Sequence, residues 1–211
     1  MTLRRTLLAA ALLLPFPALA QTAAPAPTPT PTPAPKPATQ KVALDTSFGR
    51  IVLELETERA PITARNFLRY ADQKRLDGIA FYRTVKVADK FGFIQFGIDN
   101  DPKRILPPIK HEPTTVTGVK HVNGAISTAR LAPGTARGEF TISVGDQPSL
   151  DADPSKPGDN LGYAAFGKVV EGMDVVWKIL DAPTSPTAGE GVMKGQMLSP
   201  RIKILKVSRV P

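Results

Sequence analysis

Residues 60–85 read APITARNFLRYADQKRLDGIAFYRTV, and within this stretch the pattern changes from helical to extended. Pro61 fits the first turn of a helix, where the backbone N–H groups have no intrahelical acceptor. The apolar residues that follow fall roughly on one helical face: Ile62, Phe67, Leu68 and Ala71. The run at 79–85 is rich in aromatic and β-branched residues, which favour a strand. The stretch therefore predicts a helix followed by a strand.

The residues before this helix predict a β-hairpin. Alternating apolar residues occupy 42–46 and 51–55, and Phe48-Gly49 lies in the short segment between them. Two alternating runs joined by a short turn that contains glycine are typical of paired antiparallel strands. The folded domain is therefore expected to begin at Lys41 and to continue to the end of the chain at Pro211.

The residues after it predict mostly strands. Strand patterns recur at 93–97, 124–129, 139–144, 163–169 and 201–207, and in the last of these Ile202, Ile204 and Leu205 are predicted to point inward. A second helix is predicted at 172–181, with its apolar residues at helical spacing and Trp177 in the core. Many short strands with only two helices indicate a mainly β domain, an antiparallel barrel or sandwich.

The first 20 residues have the features of a secretory signal peptide. Arg4 and Arg5 precede the apolar run at 7–14, and Ala18-Leu19-Ala20 resembles a cleavage site. The apolar run is short for a membrane span and Pro15 and Pro17 follow it directly, so an uncleaved anchor is the less favoured alternative. We expect a periplasmic or secreted protein without stable membrane insertion.

Residues 21–40 read QTAAPAPTPTPTPAPKPATQ, in which proline alternates with alanine and threonine. Such a composition favours polyproline II and lacks the apolar side chains that a core requires, so we interpret the segment as a disordered linker. The chain carries a formal charge of +8, with its basic residues scattered rather than clustered. This distribution does not indicate a nucleic-acid partner.

Several classes of catalytic site are absent from the sequence. There is no phosphate-binding loop, no nucleophile elbow, no zinc-protease motif, and no cysteine at all. His111 and His121 are the two histidines, ten residues apart, and we expect both at the surface or in turns. A catalytic metal or a serine–histidine triad is therefore not expected.

Several motifs, taken in order, resemble the cyclophilins. These motifs are APITARNF, DGIAFYR, FIQFG, GAISTAR, GEFTISVGDQPSLD and GYAAFGKVVEGMDVV, and the resemblance extends from Lys41 to the C-terminus. It is nearest to the exported bacterial members of the family. The resemblance implies an eight-stranded antiparallel barrel capped by two α-helices, and peptidyl-prolyl cis-trans isomerase activity without metal or cofactor.

The resemblance also implies an active groove on the outer face of the barrel. Arg83 matches the family's catalytic arginine and Gln95 matches the glutamine that holds the substrate backbone. The remaining substrate-binding positions that it implies are Phe93, Ala129, Arg130, Glu139, Phe140, Thr141, Leu150 and Tyr163.

Four features depart from the family pattern. Arg83 and Gln95 are twelve residues apart where the family has eight, which implies an insertion near residues 86–91. A pocket phenylalanine of the family falls on Gly92, and we expect Phe91 or Phe93 to replace it. The family's Gln-Phe-Phe-Ile reads Glu139-Phe140-Thr141-Ile142, so threonine stands at the floor of the proline pocket, and Ser149 replaces an aromatic residue.

We interpret the chain as an exported prolyl isomerase that assists the folding of other exported proteins, with activity weakened by these substitutions. Its partners would be unfolded or flexible polypeptides that contain proline, and we expect a monomer. The alternative is a catalytically weak peptide-binding or chaperone module that uses the same groove. A third, less favoured alternative is a purely structural envelope protein.

Overall fold

A computed structural model describes residues 36–211 of the chain. The predicted signal peptide and most of the predicted linker lie outside the described residues. Within residues 36–211 no helix is long and apolar enough to span a membrane.

The described residues form nine strands and three α-helices. In chain order these are β1 Gln40–Thr46, β2 Gly49–Leu55, α1 Pro61–Asp72, β3 Ala80–Ala88, β4 Phe91–Gly97, α2 Thr114–Thr117, β5 Ala125–Thr128, β6 Glu139–Val144, β7 Ala164–Glu171, α3 Met173–Leu180, β8 Thr184–Ser185 and β9 Met197–Val210. Short 3₁₀ turns at Pro148–Leu150 and Gly191–Met193 lie in two of the connecting loops.

The strands pair antiparallel in the order β1-β2-β7-β5-β6-β4-β3-β9, and β1 also pairs with β9. That last pairing closes eight strands into a barrel, which confirms the predicted fold, while the two-residue β8 only borders β9. The two predicted helices are present as α1 and α3. The third helix, α2, was not predicted, because its four residues are too few to show a helical period.

Alternation along the strands sends large apolar side chains into the barrel. The rings of Phe81, Phe96, Phe140 and Phe166 are fully buried. Phe140 and Phe166 pack against Phe67 from α1, and the centroids of Phe67 and Phe140 lie 4.9 Å apart. Because successive strand residues face opposite sides, the neighbours of these rings face outward. Gln95, Glu139 and Thr141 are thereby directed away from the core. Arg83 also faces outward, because an irregularity in the strand pairing between Phe81 and Arg83 shifts the alternation by one residue.

Two predictions about individual residues were wrong. Leu205 is 57% exposed, whereas Ile202 and Ile204 are buried as predicted, because only alternate residues of β9 face the barrel. His121 is buried, and its Nδ1 lies 2.7 Å from the Asp151 carboxylate. This hydrogen bond provides a polar partner for one of the two nitrogens of the buried imidazole.

Candidate active site

Four polar side chains form a continuous row across four neighbouring strands. Arg83 on β3 pairs with Gln95 on β4, Gln95 pairs with Thr141 on β6, and Thr141 pairs with Ser127 on β5. Residues directly opposite one another on antiparallel strands have side chains on the same face. The row is therefore the floor of one outer surface of the barrel, and it begins at the arginine that the sequence analysis identified.

The insertion between Arg83 and Gln95 lengthens the β3–β4 hairpin and leaves their pairing intact. The hairpin turns at Asp89 and Lys90, and Lys90 Nζ lies 4.4 Å from the centroid of the Trp177 ring on α3. Trp177 itself is half-buried at the edge of the core. The inserted residues therefore extend toward α3, and Arg83 and Gln95 remain opposite each other.

The guanidinium of Arg83 is held by two glutamine side chains. Its Nη1 donates to Gln95 Oε1 at 3.0 Å, and its Nε and Nη2 donate to Gln196 Oε1 at 2.9 and 2.6 Å. Of the five N–H groups of arginine, these bonds use three and leave two for a ligand. The ring of Phe93 lies under the cation, with its centroid 5.2 Å from Cζ.

No carboxylate of the described residues forms a salt bridge with Arg83. Burial lowers the pKa of Arg83 from its ordinary value, yet arginine stays protonated in proteins at any physiological pH. The groove therefore contains a fixed cation whose charge is not cancelled by a partner.

A groove of about 690 Å³ opens over this row. Nine of the ten residues predicted for the site line it: Arg83, Phe93, Gln95, Ala129, Arg130, Glu139, Thr141, Leu150 and Tyr163. The exception is Phe140, which is fully buried among the core rings. Its position between two groove residues on β6 requires this, since adjacent strand residues face opposite sides. Phe140 supports the groove from beneath and does not line it.

The part of the groove that the resemblance assigns to proline has a polar floor. Thr141 Oγ1 and Ser127 Oγ lie 2.9 Å apart and form a hydrogen bond. A side chain at Gly92 would collide with the carbonyl oxygen of Val85, so this position cannot carry the family's phenylalanine. Phe93 lines the groove, whereas Phe91 packs over Gly145 and is absent from the lining. Of the two expected replacements, only Phe93 is therefore placed to contact a ligand.

Arg130 organises the groove wall. Its guanidinium donates to both oxygens of Asp159 at 2.8 and 2.9 Å and to the carbonyl of Gly162. The pair with Arg130 lowers the pKa of Asp159 to about 2. Tyr163 is stacked near this cation, with 5.5 Å between Cζ and the ring centroid. The contacts of Arg130 fix the loop that carries Tyr163.

Glu139 joins three elements at the groove. Its carboxylate accepts hydrogen bonds from the Tyr82 hydroxyl at 2.6 Å and from the Asp99 backbone N–H at 2.8 Å. Burial raises the pKa of Glu139 above its ordinary value, although these donors oppose the shift. In this structure Glu139 holds the loop after β4 against the sheet, a role that the sequence analysis did not predict.

Gln196, Tyr82 and Ser127 belong to the site and were not identified from the sequence. Gln196 lies 113 residues from Arg83, and no local pattern links the two. Ser127 could have been found from strand pairing, because the residue opposite Thr141 shares its face. In residues 36–211 no group of three or more His, Cys, Asp or Glu side chains is arranged to hold a metal ion.

Solved structures place the barrel in a known fold. Two structures of a cyclophilin-type peptidyl-prolyl cis-trans isomerase from Cryptosporidium parvum superpose on it with TM-scores of 0.65 and 0.64, at 20% and 21% identity. Each match covers 82% of this chain and 99% of the other, and the second was determined in the presence of the dipeptide Ala-Pro. The fold is that of the cyclophilins.

Sequence comparison defines the family. Residues 41–209 match the model of the cyclophilin-type peptidyl-prolyl cis-trans isomerases. Among relatives, a peptidyl-prolyl cis-trans isomerase of Acinetobacter baylyi is 35% identical, and the match covers 70% of this chain and 76% of that protein. The isomerase cyp18 of Streptomyces antibioticus is 38% identical, with 70% and 87% covered. The chain belongs to the cyclophilin family of peptidyl-prolyl cis-trans isomerases, which confirms the resemblance seen in its motifs.

Proposed function

We propose that this chain catalyses cis/trans isomerisation of X–Pro peptide bonds in flexible polypeptides, with Arg83 as the catalytic residue. The observation that carries the proposal is the Arg83 guanidinium, which is fixed by Gln95 and Gln196 in an open groove and carries an uncancelled charge. Family membership supports the reaction. The presence of Ala-Pro in the determination of the Cryptosporidium parvum isomerase supports a ligand that contains proline.

The chemistry of the reaction requires little besides such a cation. Rotation about the bond crosses a barrier of about 18–20 kcal/mol because it destroys amide resonance. In the twisted state the proline nitrogen becomes pyramidal and its lone pair is free to accept a hydrogen bond. A free N–H of Arg83 directed at that nitrogen stabilises the twisted state more than the planar one, which lowers the barrier. Gln95, the neighbour of Arg83 in the row, is proposed to bind the substrate backbone.

The test is a protease-coupled assay with a proline peptide, run on the purified protein and on Arg83→Ala and Arg83→Lys. Loss of one preorganised donor is expected to lower kcat/KM by about 100-fold or more in the alanine variant. Lysine keeps the charge without the planar fork, so we expect only partial recovery. Because Arg83 lies in an open groove, the melting temperature should change little. Full activity of Arg83→Ala would remove this residue from the mechanism.

We further propose that turnover is weaker than the reaction chemistry alone would allow, and that the clients are exported proteins. Weak turnover is supported by the hydroxyl pair of Thr141 and Ser127, which gives the proline ring no aromatic floor. Export is supported by the signal-like pattern at residues 1–20. A chain that is exported from the cytoplasm and acts as a monomer at its destination would meet the unfolded segments of other exported proteins as these fold.

The polar floor also favours a second candidate, a peptide-binding or chaperone module with little catalysis. An enzyme still has to enclose the proline ring, whereas a binding module does not. Affinity measured for matched peptides with proline or alanine at one position separates the two. Equal affinity combined with negligible turnover supports the binding module, and a clear preference for proline combined with turnover supports the isomerase.

A further inference from the structure

The partners of Arg83 share one chemical property, which is that both are neutral. Gln95 and Gln196 each present an amide oxygen to the guanidinium, and no described carboxylate lies within salt-bridge distance. Another groove arginine, Arg130, is instead bound by the carboxylate of Asp159. Arg83 and Arg130 therefore differ in whether a carboxylate pairs with them.

Gln196 is itself fixed by its backbone. Its carbonyl oxygen accepts the N–H of Thr84, the residue after Arg83, at 2.9 Å, and its own N–H donates to Met193 O at 3.1 Å. The same loop is closed by a bond from Gly195 N to Ala188 O at 3.0 Å. The side chain of Gln196 is thus anchored next to the strand that carries Arg83, and Met193 of this loop lines the groove.

We propose that Gln196 is a positioning residue that orients the guanidinium of Arg83 without neutralising it. One amide oxygen accepts both Nε–H and Nη2–H, which fixes the plane of the guanidinium and leaves the two remaining N–H groups for the substrate. A carboxylate in the same place would hold the same plane. It would also form an ion pair and weaken the hydrogen bond that Arg83 offers to the proline nitrogen.

This inference rests on the proposed role of Arg83, and it makes an unusual prediction for Gln196→Glu. The new Arg–Glu pair is charge-assisted and half-buried, so the melting temperature should stay equal or rise. At the same time kcat should fall by about tenfold, with KM within twofold of the original value, because the charge acts in the twisted state. A residue with only a structural role would not raise stability and lower kcat together.

Two further variants complete the experiment. Gln196→Leu removes the acceptor, so kcat should fall by about tenfold and the NMR signal of the Arg83 Nε–H should shift and exchange faster. The matched control is Gln73→Glu, since Gln73 Oε1 accepts from Arg75 Nε at 2.7 Å at the exposed end of α1. It makes the same Gln-to-Glu change beside an arginine outside the groove, and activity should not change.

The outcomes separate this inference from the proposed function. If the unmodified protein is inactive, or if Arg83→Ala retains full activity, the proposed function fails. If Arg83 is required but Gln196→Glu keeps the original kcat, the positioning role of Gln196 is wrong. Should Gln196→Leu fail to fold, Gln196→Glu and its Arg83 Nε–H signal still decide the question, since an unmoved signal with unchanged kcat overturns the inference.

Discussion

Replacing Thr141 by phenylalanine tests the proposal that turnover is weak because the proline pocket lacks an aromatic floor. A ring at this position would cover one face of the bound proline. Full burial of an apolar side chain of this size is worth about 1.5–3 kcal/mol, and one face is about half of that. A gain of about 1 kcal/mol corresponds to a KM about fivefold lower. Since a pocket wall contacts the ground and transition states about equally, kcat should change less than KM.

The same substitution has a cost that the structure defines. Thr141 is the hydrogen-bond partner of Ser127, whose side chain is almost completely buried at 1% exposure. Leaving that hydroxyl without a partner costs about 1–3 kcal/mol of stability. Thr141→Val is the matched control, because it removes the same hydrogen bond without adding a ring. Both variants should therefore melt at lower temperature, and only Thr141→Phe should show a lower KM.

The assay is protease-coupled turnover over a range of peptide concentrations, combined with thermal melts of both variants. Phe91 packs over Gly145, outside the groove lining, so it does not fill the space that the new ring needs. Phe93 is already engaged with the Arg83 guanidinium. A higher KM with a lower kcat, together with a melting temperature well below that of Thr141→Val, would mean that the ring overpacks the site and that the floor is not missing.

Three further predictions concern export and pH. Mass spectrometry of the native protein should show a chain that begins at or near Gln21, and a mass that retains residues 1–20 in the envelope fraction would indicate an anchor. Because Arg130 lowers the pKa of Asp159 to about 2 from an ordinary 3.8, the pair stabilises the fold above that ordinary value and is lost as pH falls through about 2. Melts of Asp159→Asn should show a shallower decline between pH 4 and pH 2, and an unchanged decline would contradict the pairing. Burial raises the pKa of Glu139, so the protonated form of this side chain stabilises the fold relative to the ionised form. This contribution to stability is fully present below the ordinary pKa of 4.5 and is lost as pH rises through the raised folded value. Glu139→Gln should remove this loss of stability with rising pH. An identical dependence of stability on pH in both proteins would show that ionisation of Glu139 does not destabilise the fold.

Local pattern predicted most of the barrel and the groove side of its strands. The strand at 139–144 was predicted with its observed bounds, and the alternation within it places Glu139 and Thr141 in the groove. The same alternation assigns Phe140 to the core, and the sequence analysis erred by taking three consecutive strand residues as groove residues. Leu205 was misassigned for the same reason, since it follows the inward Ile204 directly.

Contacts between distant residues could not be predicted in this way. Gln196 reaches Arg83 because β9 lies beside β3 in the closed barrel, and this adjacency is a property of the topology. His121 is buried because Asp151, thirty residues later, supplies its hydrogen bond. In both cases a polar residue depends on a partner that local sequence does not identify. Likewise, only the structure shows that both side-chain partners of Arg83 are neutral glutamines.

The hairpin insertion shows why the pairing of Arg83 with Gln95 tolerates a change in spacing. In an antiparallel hairpin, four extra residues can add two to each strand, and two residues complete one period of side-chain alternation. Arg83 and Gln95 therefore remain opposite each other and on the groove face, while the added residues move the turn toward Trp177. Gln95 is opposite Arg83 in the β3–β4 pairing and opposite Thr141 in the β4–β6 pairing, so its position is set by strand pairing and not by the number of residues in the turn. The spacing of twelve thus leaves Arg83 and Gln95 in the arrangement that the proposed mechanism requires, and the proposed weakening of turnover rests on Thr141 and Gly92 instead.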